Sequence, residues 1–563
     1  MSEEEQKVPE AEQPVEETAA PAAETSAAPK KGFLGKVDNY FGITARKSKF
    51  STEIFAGLTT FLAMAYILVV NPIQITGQLA QADPVVAALL SPSVFIATAL
   101  GAVIGCLLMA FLAKMPLAQA PGMGVNAMIG GMIGASAAFT YNVTFSFGNA
   151  MLITFISGVI FLLLTVIPIG RDKETGRLIG IREKIFEGVP EGIRIAIPVG
   201  IGLFIAFIGM QNAGLIVTNG FTQVGLVDLT NWKLQLVQWG VVVGGADGVN
   251  LVASATYAEA AKGAIVCLIS LISIAVLSHY KVKGSVILGI LIATIIAIPL
   301  GVADTGVLTN GESWKFWEKF KNFFSMDEKN GGSFLAAFTT GFDFPEGSVF
   351  TIIVLIITFC MLDMFDTMGT VLGCCSKAGL LEPDGKPVNF TKSMLSDSIA
   401  TCTGALLGTS TVTTFVESGT GIAAGGKTGF TALTVAGFFL LSIFLLPIFA
   451  FIPSAAAAGA LIYVGVLMMG SVGKIDFTDL RVAVPAFITI VMMPLAYSIT
   501  GGIGLGIISY VIINIVCYIV EIIKYAVVSK KGGEAVKPKW PISIVTGVIT
   551  VFFLIYFFVP TTI

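Results

Sequence analysis

Residues 118–131 read "AQAPGMGVNAMIGG", and they cannot form one regular helix although apolar sequence surrounds them. Pro121 has no N–H to donate, and Gly122 and Gly124 are poor helix formers. The chain before them therefore reads as extended, with a short helix starting near Asn126. A second stretch breaks in a similar way. "TSTVTTFVESGTGIAAGGKTG", residues 409–429, opens with a β-branched run suited to a strand and reaches a helix start at Glu417 and Ser418. In a bilayer such backbone is tolerated only where it is buried in protein or lines a cavity. Two of them predict short strands, each followed by a half-helix, meeting near the membrane midplane.

Composition supports the bilayer. The 563 residues are 55% hydrophobic and 12% charged, whereas a soluble domain carries about 25% charged residues. The formal net charge of −3 points to no nucleic-acid partner. The seven cysteines show no metal spacing, and a disulfide framework is not expected. His279 is the only histidine, at the end of an apolar run beside Tyr280 and Lys281. One histidine excludes a multi-His metal site, and neither metal nor cofactor is expected.

Stretches able to cross a bilayer need about 20 residues. They fall at 54–72, 86–113, 117–137 (broken), 147–169, 189–210, 262–280 and 284–302, then at 347–373, 393–409, 411–427 (broken), 430–451, 453–471, 482–500 and 503–526. These are segments 1–14. A further apolar piece, 541–560, follows the basic linker "SKKGGEAVKPK" and is left open between spanning the bilayer and lying in its interface. Residues 1–45 contain an acidic, Ala/Pro-rich stretch without an apolar core and read as a disordered cytoplasmic tail, not a signal peptide. With a cytoplasmic N-terminus, basic residues cluster on one side. Arg46, Lys47 and Lys49 precede segment 1. Arg171, Lys173, Arg177, Arg182 and Lys184 lie between segments 4 and 5. Lys377, Lys386 and Lys392 lie between segments 8 and 9, and Lys474 and Arg481 between segments 12 and 13.

The halves echo one another. "ATALGAVIG" at 97–105 resembles "ATCTGALLG" at 400–408, each just before a broken segment. "VPEGIRIAIPVGIGLFIAFIG" from Val189 resembles "IPSAAAAGALIYVGVLMMG" from Ile452. Seven crossings per half insert the second copy upside down, the architecture of secondary transporters. The fold expected is an all-α polytopic membrane protein of about fourteen segments in two inverted repeats.

The acids stand out against this background. "LDMFDTMGT", 362–370, places Asp363 and Asp366 in segment 8, about 60° apart on one helical face at 100° per residue. Burial and a neighbouring like charge favour the neutral form of a carboxyl, which suits one of them to take up and release a proton. Glu417 stands at the half-helix start of segment 10, and an intramembrane acid is a functional candidate by default. Three carboxylates repel an anion. A neutral, flat heterocycle with several N–H donors fits best: carboxylates accept from its edge, and freed backbone N–H groups donate to ring nitrogens or a carbonyl.

"APGMGVNAM", "DMFDTMGTVLG" and "TSTVTTFVESGTGIAAGGKTGFTAL" resemble the signature stretches of the azaguanine-resistance-type purine permeases, a branch of the nucleobase transporters that includes xanthine and uracil permeases. "TEIFAGLTTFLAMAYILVVNP" and "AVPAFITIVMMPLAYSITGGI" are similar too, and the resemblance runs from about Ser51 to Ile523. It implies a core domain of segments 1–4 and 8–11 (46–170 and 346–451) that holds substrate. A gate domain of segments 5–7 and 12–14 (171–302 and 452–526) moves against it. Residues 303–345 form an extracellular loop, and 527–563 hold the basic linker and the extra apolar piece. It implies that Asp363 and Glu417 bond the purine, that Asn126 and Ser418 line the same site, and that Asp366 serves proton coupling. It further implies a homodimer in the plasma membrane importing guanine, hypoxanthine or adenine with protons. The alternatives are sodium coupling, an anion exchanger or channel on the same fold, and an intramembrane aspartyl protease pairing Asp363 with Glu417. The 171–180 and 211–261 stretches look like additions.

Overall fold

The computed structural model describes residues 32–134, 137, 143–171, 178–219, 223–230, 240–243, 250–253, 255–309, 315–326, 328–382, 387–531 and 536–558. Most of residues 1–45 and much of 211–261 therefore lie outside the described residues. Among those described, nine helices are long and apolar enough to cross a membrane. They supply segment 1 (Phe50–Thr76), 2 (Pro84–Ala113), 4 (Phe147–Val166), 5 (Glu191–Asn212), 6 (Glu259–His279), 8 (Val349–Cys375), 11 (Gly429–Ala450), 12 (Ser454–Lys474) and 14 (Ile499–Lys530). Segments 7 (Ser285–Ala297) and 13 (Leu480–Leu495) are shorter helices, and segment 9 is the more polar helix Phe390–Leu407. The apolar piece after the linker forms the helix Ile544–Phe558, packed on segment 14. Segment 1 is interrupted at Ala65–Tyr66, between the helices Phe50–Met64 and Ile67–Thr76.

The broken stretches fold as strand plus half-helix. Gln119–Pro121 precedes the helix Met123–Ile133 in segment 3, and Val412–Thr414 precedes Ser418–Ala423 in segment 10. The half-helix of segment 3 starts at Met123, three residues before the expected Asn126, because Gly122 is already extended and serves as its N-cap. The two strands pair antiparallel: Gln119 with Thr414, Ala120 with Thr413 and Pro121 with Val412. Gly122 N donates to Thr411 O at 2.7 Å and Phe415 N to Ala118 O at 3.0 Å, extending the pairing at both ends. Each strand thus satisfies the backbone groups the other leaves open, as burial demands.

The helices pack in two groups. Segments 1, 2, 4, 9 and 11 pack on one another around the strand pair, while segments 5, 6, 7, 12, 13 and 14 pack together. The repeated motifs explain both groups. In the second echo Gly202 and Gly465 hold the same place in their copies, and they face each other: a Cβ on Gly202 would lie 3.0 Å from Gly465 O, and one on Gly465 2.5 Å from Gly202 O. Equivalent residues touching across a crossing are what a two-fold relation between the repeats produces. In the first echo Gly101 and Gly404 are equivalent, and both sit against the strand of segment 10 through Val412.

A clamp fixes one end of the first group. The buried Glu53 carboxylate accepts from Lys427 N (3.1 Å), Thr428 N (3.2 Å), Thr428 Oγ1 (2.8 Å) and Thr431 Oγ1 (2.5 Å). It sits at the N-terminus of the segment-11 helix, where negative charge is favoured. Arg46 Nη1 donates to Lys427 O at 2.7 Å from the same side. Glu53 is thus an acid whose bonds hold segments 1 and 11 together.

Candidate functional site

The break in segment 1, the paired strands and the middle of segment 8 converge. Tyr66, buried at that break, donates from its hydroxyl to Glu417 Oε1 at 2.8 Å. Glu417 and Asp366 are both half-buried and lie within electrostatic reach of each other. Thr413, on the segment-10 strand, stands beside Asp366. Two half-buried carboxyls therefore stand together, one of them held by the hydroxyl of the buried Tyr66, and they can accept N–H bonds from a flat ligand.

Asp363 points elsewhere. It is 2% exposed, and its Oδ2 accepts from Thr401 Oγ1 of segment 9 at 2.9 Å. Beside it lies Asp397, also buried, whose Oδ1 accepts from Gln119 Nε2 (3.0 Å) and Thr367 Oγ1 (2.8 Å). Asp363 Oδ1 and Asp397 Oδ2 have no hydrogen-bond partner. The roughly 60° between Asp363 and Asp366 is enough to aim them at different neighbours: Asp363 at segment 9, Asp366 at segment 10. The expectation had Asp363 on the ligand and Asp366 on the proton, whereas here Asp366 shares a face with Glu417.

Asn126 and Ser418 also sit at the strand pair. Asn126 is fully buried in the first turn of its half-helix; its Oδ1 accepts from Ser410 Oγ, and its Nδ2 has no partner. Ser418 Oγ accepts from Ala118 N at 3.0 Å, bracing the segment-10 half-helix against segment 3. That half-helix has six residues, so it offers less positive end charge than a full helix would.

The sequence reading did not single out Tyr66, Gln119 or Asp397, and it placed Arg182 only among the loop cations. Asp397 was legible as a second kind of intramembrane acid, in "KSMLSDSIATC", but the polar residues around it disguised it. Among the described residues, no cluster of three His, Cys, Asp or Glu side chains is placed to hold a metal ion.

Two inverted repeats with paired strands and half-helices at their meeting point define a membrane transporter. The solved structures agree on the fold. The transmembrane domain of the cyanobacterial bicarbonate transporter BicA superposes with a TM-score of 0.52 at 14% identity, covering 80% of this chain and 97% of that one. The murine anion transporter Slc26a9 in its inward-facing state gives 0.50 at 12% identity, covering 88% and 74%. Sequence comparison is more specific. The model described as the Permease family, that of xanthine and uracil permeases, matches residues 51–244 and 234–505. The adenine permease AdeP of Escherichia coli K12 is 33% identical over 482 residues, 85% of this chain and 91% of its own length. The guanine/hypoxanthine permease PbuG of Bacillus subtilis 168 is 32% identical over 478 residues, 85% and 93%. A putative permease of Methanocaldococcus jannaschii, MJ0326, is 36% identical over 479 residues, 85% and 92%. The chain belongs to the xanthine/uracil permease family, in the branch that holds these purine permeases, and it is a multi-pass membrane transporter, not an enzyme.

Proposed function

We propose that this protein imports purine nucleobases (guanine, hypoxanthine or adenine) with protons, by an elevator-like movement of segments 1–4 and 8–11 against segments 5–7 and 12–14. The observation carrying this reading is the pair of half-buried carboxyls, Glu417 and Asp366, with the Tyr66 hydroxyl on Glu417, at the broken segments, in a chain whose relatives include adenine and guanine/hypoxanthine permeases. A purine presents N–H donors along one edge and acceptor nitrogens along the other. Glu417 and Asp366 accept from the donors, and the unused Nδ2 of Asn126 donates to an acceptor. Hydrogen-bond matching of this kind discriminates strongly, because an analogue lacking one group leaves a buried partner unpaired.

Asp363, buried against Thr401 and Asp397, takes the coupling proton, and Asp366 joins Glu417 at the base. This reverses the two aspartates' roles in the resemblance, on the basis of where each carboxyl points. Ser418 supports the site through the backbone of segment 3. The protein sits in the plasma membrane with its N-terminus in the cytoplasm, as a homodimer in contact through segments 5–7 and 12–14.

Uptake of labelled hypoxanthine, guanine, adenine, xanthine and uracil into permease-deficient cells tests the reading. Saturable purine uptake that collapses when the proton gradient is dissipated supports it; absence of purine uptake overturns it. Uptake that follows sodium and ignores pH replaces the proton by sodium.

A further inference from the structure

The sequence counts Arg182 among the cytoplasmic loop cations between segments 4 and 5, but the structure draws it inside. Arg182 belongs to the short helix Ile181–Gly188 and is 3% exposed. Its guanidinium carbon lies 3.8 Å from the centroid of the Phe161 ring on segment 4. Nη1 reaches Thr165 Oγ1 at a long 3.5 Å, while Nε and Nη2 donate to nothing. The group lies within electrostatic reach of Asp397 and Asp363. Each of those acids has one buried carboxyl oxygen without a partner, Asp397 Oδ2 and Asp363 Oδ1.

Two buried guanidinium donors and two buried carboxyl acceptors thus lack hydrogen-bond partners, each set within electrostatic reach of the other. An arginine fork matches two carboxyl oxygens in geometry, and an unpaired buried charge is costly. The open arrangement therefore suits a state in which the acids are neutral, and a closed one suits a state in which they are charged. We propose that Arg182 is a switchable internal counter-ion: its fork closes on Asp363 and Asp397 when they carry charge and opens when a proton is taken up. This rests on the proton-coupled reading above.

The other titratable groups around the pair are Asp366 and Cys360 on segment 8 and Cys402 on segment 9, with Glu417 beyond Asp366 on segment 10. Arg182 supplies the positive charge among them. Its helix is also tied at the far end, where Gly188 O accepts from Ser543 Oγ (2.6 Å) and Thr546 Oγ1 (2.7 Å) of the C-terminal helix region. Protonation of segments 8 and 9 is thereby linked to the connection between segments 4 and 5, which joins the two proposed moving bodies. Arg182 is a positioning residue and touches no substrate.

The test uses the full-length chain with Arg182→Gln, Arg182→Lys, Asp397→Asn and the double variant Arg182→Gln/Asp397→Asn. Arg182→Gln is expected to keep hypoxanthine binding within about threefold, to accumulate about tenfold less hypoxanthine and to flatten the pH profile of uptake. Arg182→Lys keeps the charge but loses the fork, and should fall between it and the wild type. In thermal unfolding the double variant should lose less stability than the two single variants' losses added together, because removing Arg182 costs less once one of the two acids it balances is already neutral. A wild-type pH profile in Arg182→Gln, or stability losses that simply add, would overturn the proposal. If Arg182→Gln does not fold, a folded double variant supports the pairing and an unfolded one refutes it. If the wild type ignores the proton gradient, the coupling reading fails on the wild type alone, while the stability cycle still reports the pairing.

Discussion

Segments 1 and 8 tie to their neighbours through equivalent threonines, yet the two ties have opposite polarity. The echoed motifs align Thr98 of segment 2 with Thr401 of segment 9. In the first repeat Asn71 Nδ2 donates to Thr98 Oγ1 at 2.6 Å and to Thr409 Oγ1 at 2.8 Å. In the second, Thr401 Oγ1 donates to Asp363 Oδ2 at 2.9 Å. One repeat places a neutral amide where the other places a carboxyl. A tie that only holds helices together works with either group. A tie that also exchanges a proton needs the carboxyl, so on the proposed coupling this asymmetry is where the inverted-repeat scaffold departs from symmetry. Glu417 lies in the second repeat as well, so the proposed chemistry gathers there and the first repeat supplies Tyr66 and Asn126.

The largest effect is expected at the ligand face. Glu417→Ala removes the acceptor of the Tyr66 hydroxyl and an acceptor proposed for the base. Purine uptake should fall to background, and binding measured by calorimetry should weaken by at least about a hundredfold. Near-normal affinity in this variant would remove Glu417 from the site.

Swapping the ties comes next. Asn71→Asp places a carboxyl in a fully buried site. There Thr98 already uses its proton on Val94 O, at 2.6 Å. A new buried acid left with the Thr409 hydroxyl as donor should still cost roughly 2–4 kcal/mol, read as a clear fall in thermal midpoint. An unchanged midpoint would mean that the first repeat accepts charge as readily as the second. The reciprocal Asp363→Asn preserves a partner for Thr401 and makes the second tie neutral. It should fold, bind hypoxanthine within about threefold of the wild type, exchange substrate, and lose about tenfold in accumulation against a gradient. Equal losses of binding and accumulation would return Asp363 to the ligand, as the family resemblance implies.

Much of this was legible before any coordinates. Pro121 and Gly122 announced one broken segment and the β-branched run 411–416 the other, because backbone preferences act locally. The nine long spans among the described residues were legible because bilayer thickness fixes their length. The direction of a side chain was not. Asp363 and Asp366 share a helical face in sequence terms, and only the packing of segments 9 and 10 separates them. Arg182 shows the same limit: a basic residue in a connecting stretch counts as a solvated cation until tertiary structure buries it against Phe161. Tyr66 was hidden for the opposite reason, since an aromatic residue in an apolar run carries no polar signal of its own.

The smallest predicted effect tests whether the repeats differ in packing as they do in charge. Gly101 and Gly404 are equivalent, but they are not equally crowded. A Cβ on Gly404 would lie 2.6 Å from Ser410 O and 2.7 Å from Val412 Cγ2, whereas one on Gly101 would meet only methyl groups, of Thr409 and Val412, at 3.3 Å. Backbone oxygen cannot step aside as a methyl can. Gly404→Ala should therefore destabilise by about 1–3 kcal/mol through overpacking, and Gly101→Ala by less than about 1 kcal/mol, with the helix propensity of alanine offsetting part of it. Thermal unfolding of the two variants side by side reads the difference. Equal shifts would mean that the strand of segment 10 moves freely between segments 2 and 9. A larger shift for Gly404→Ala would show the second repeat gripping that strand more tightly, on the side where the carboxyls stand.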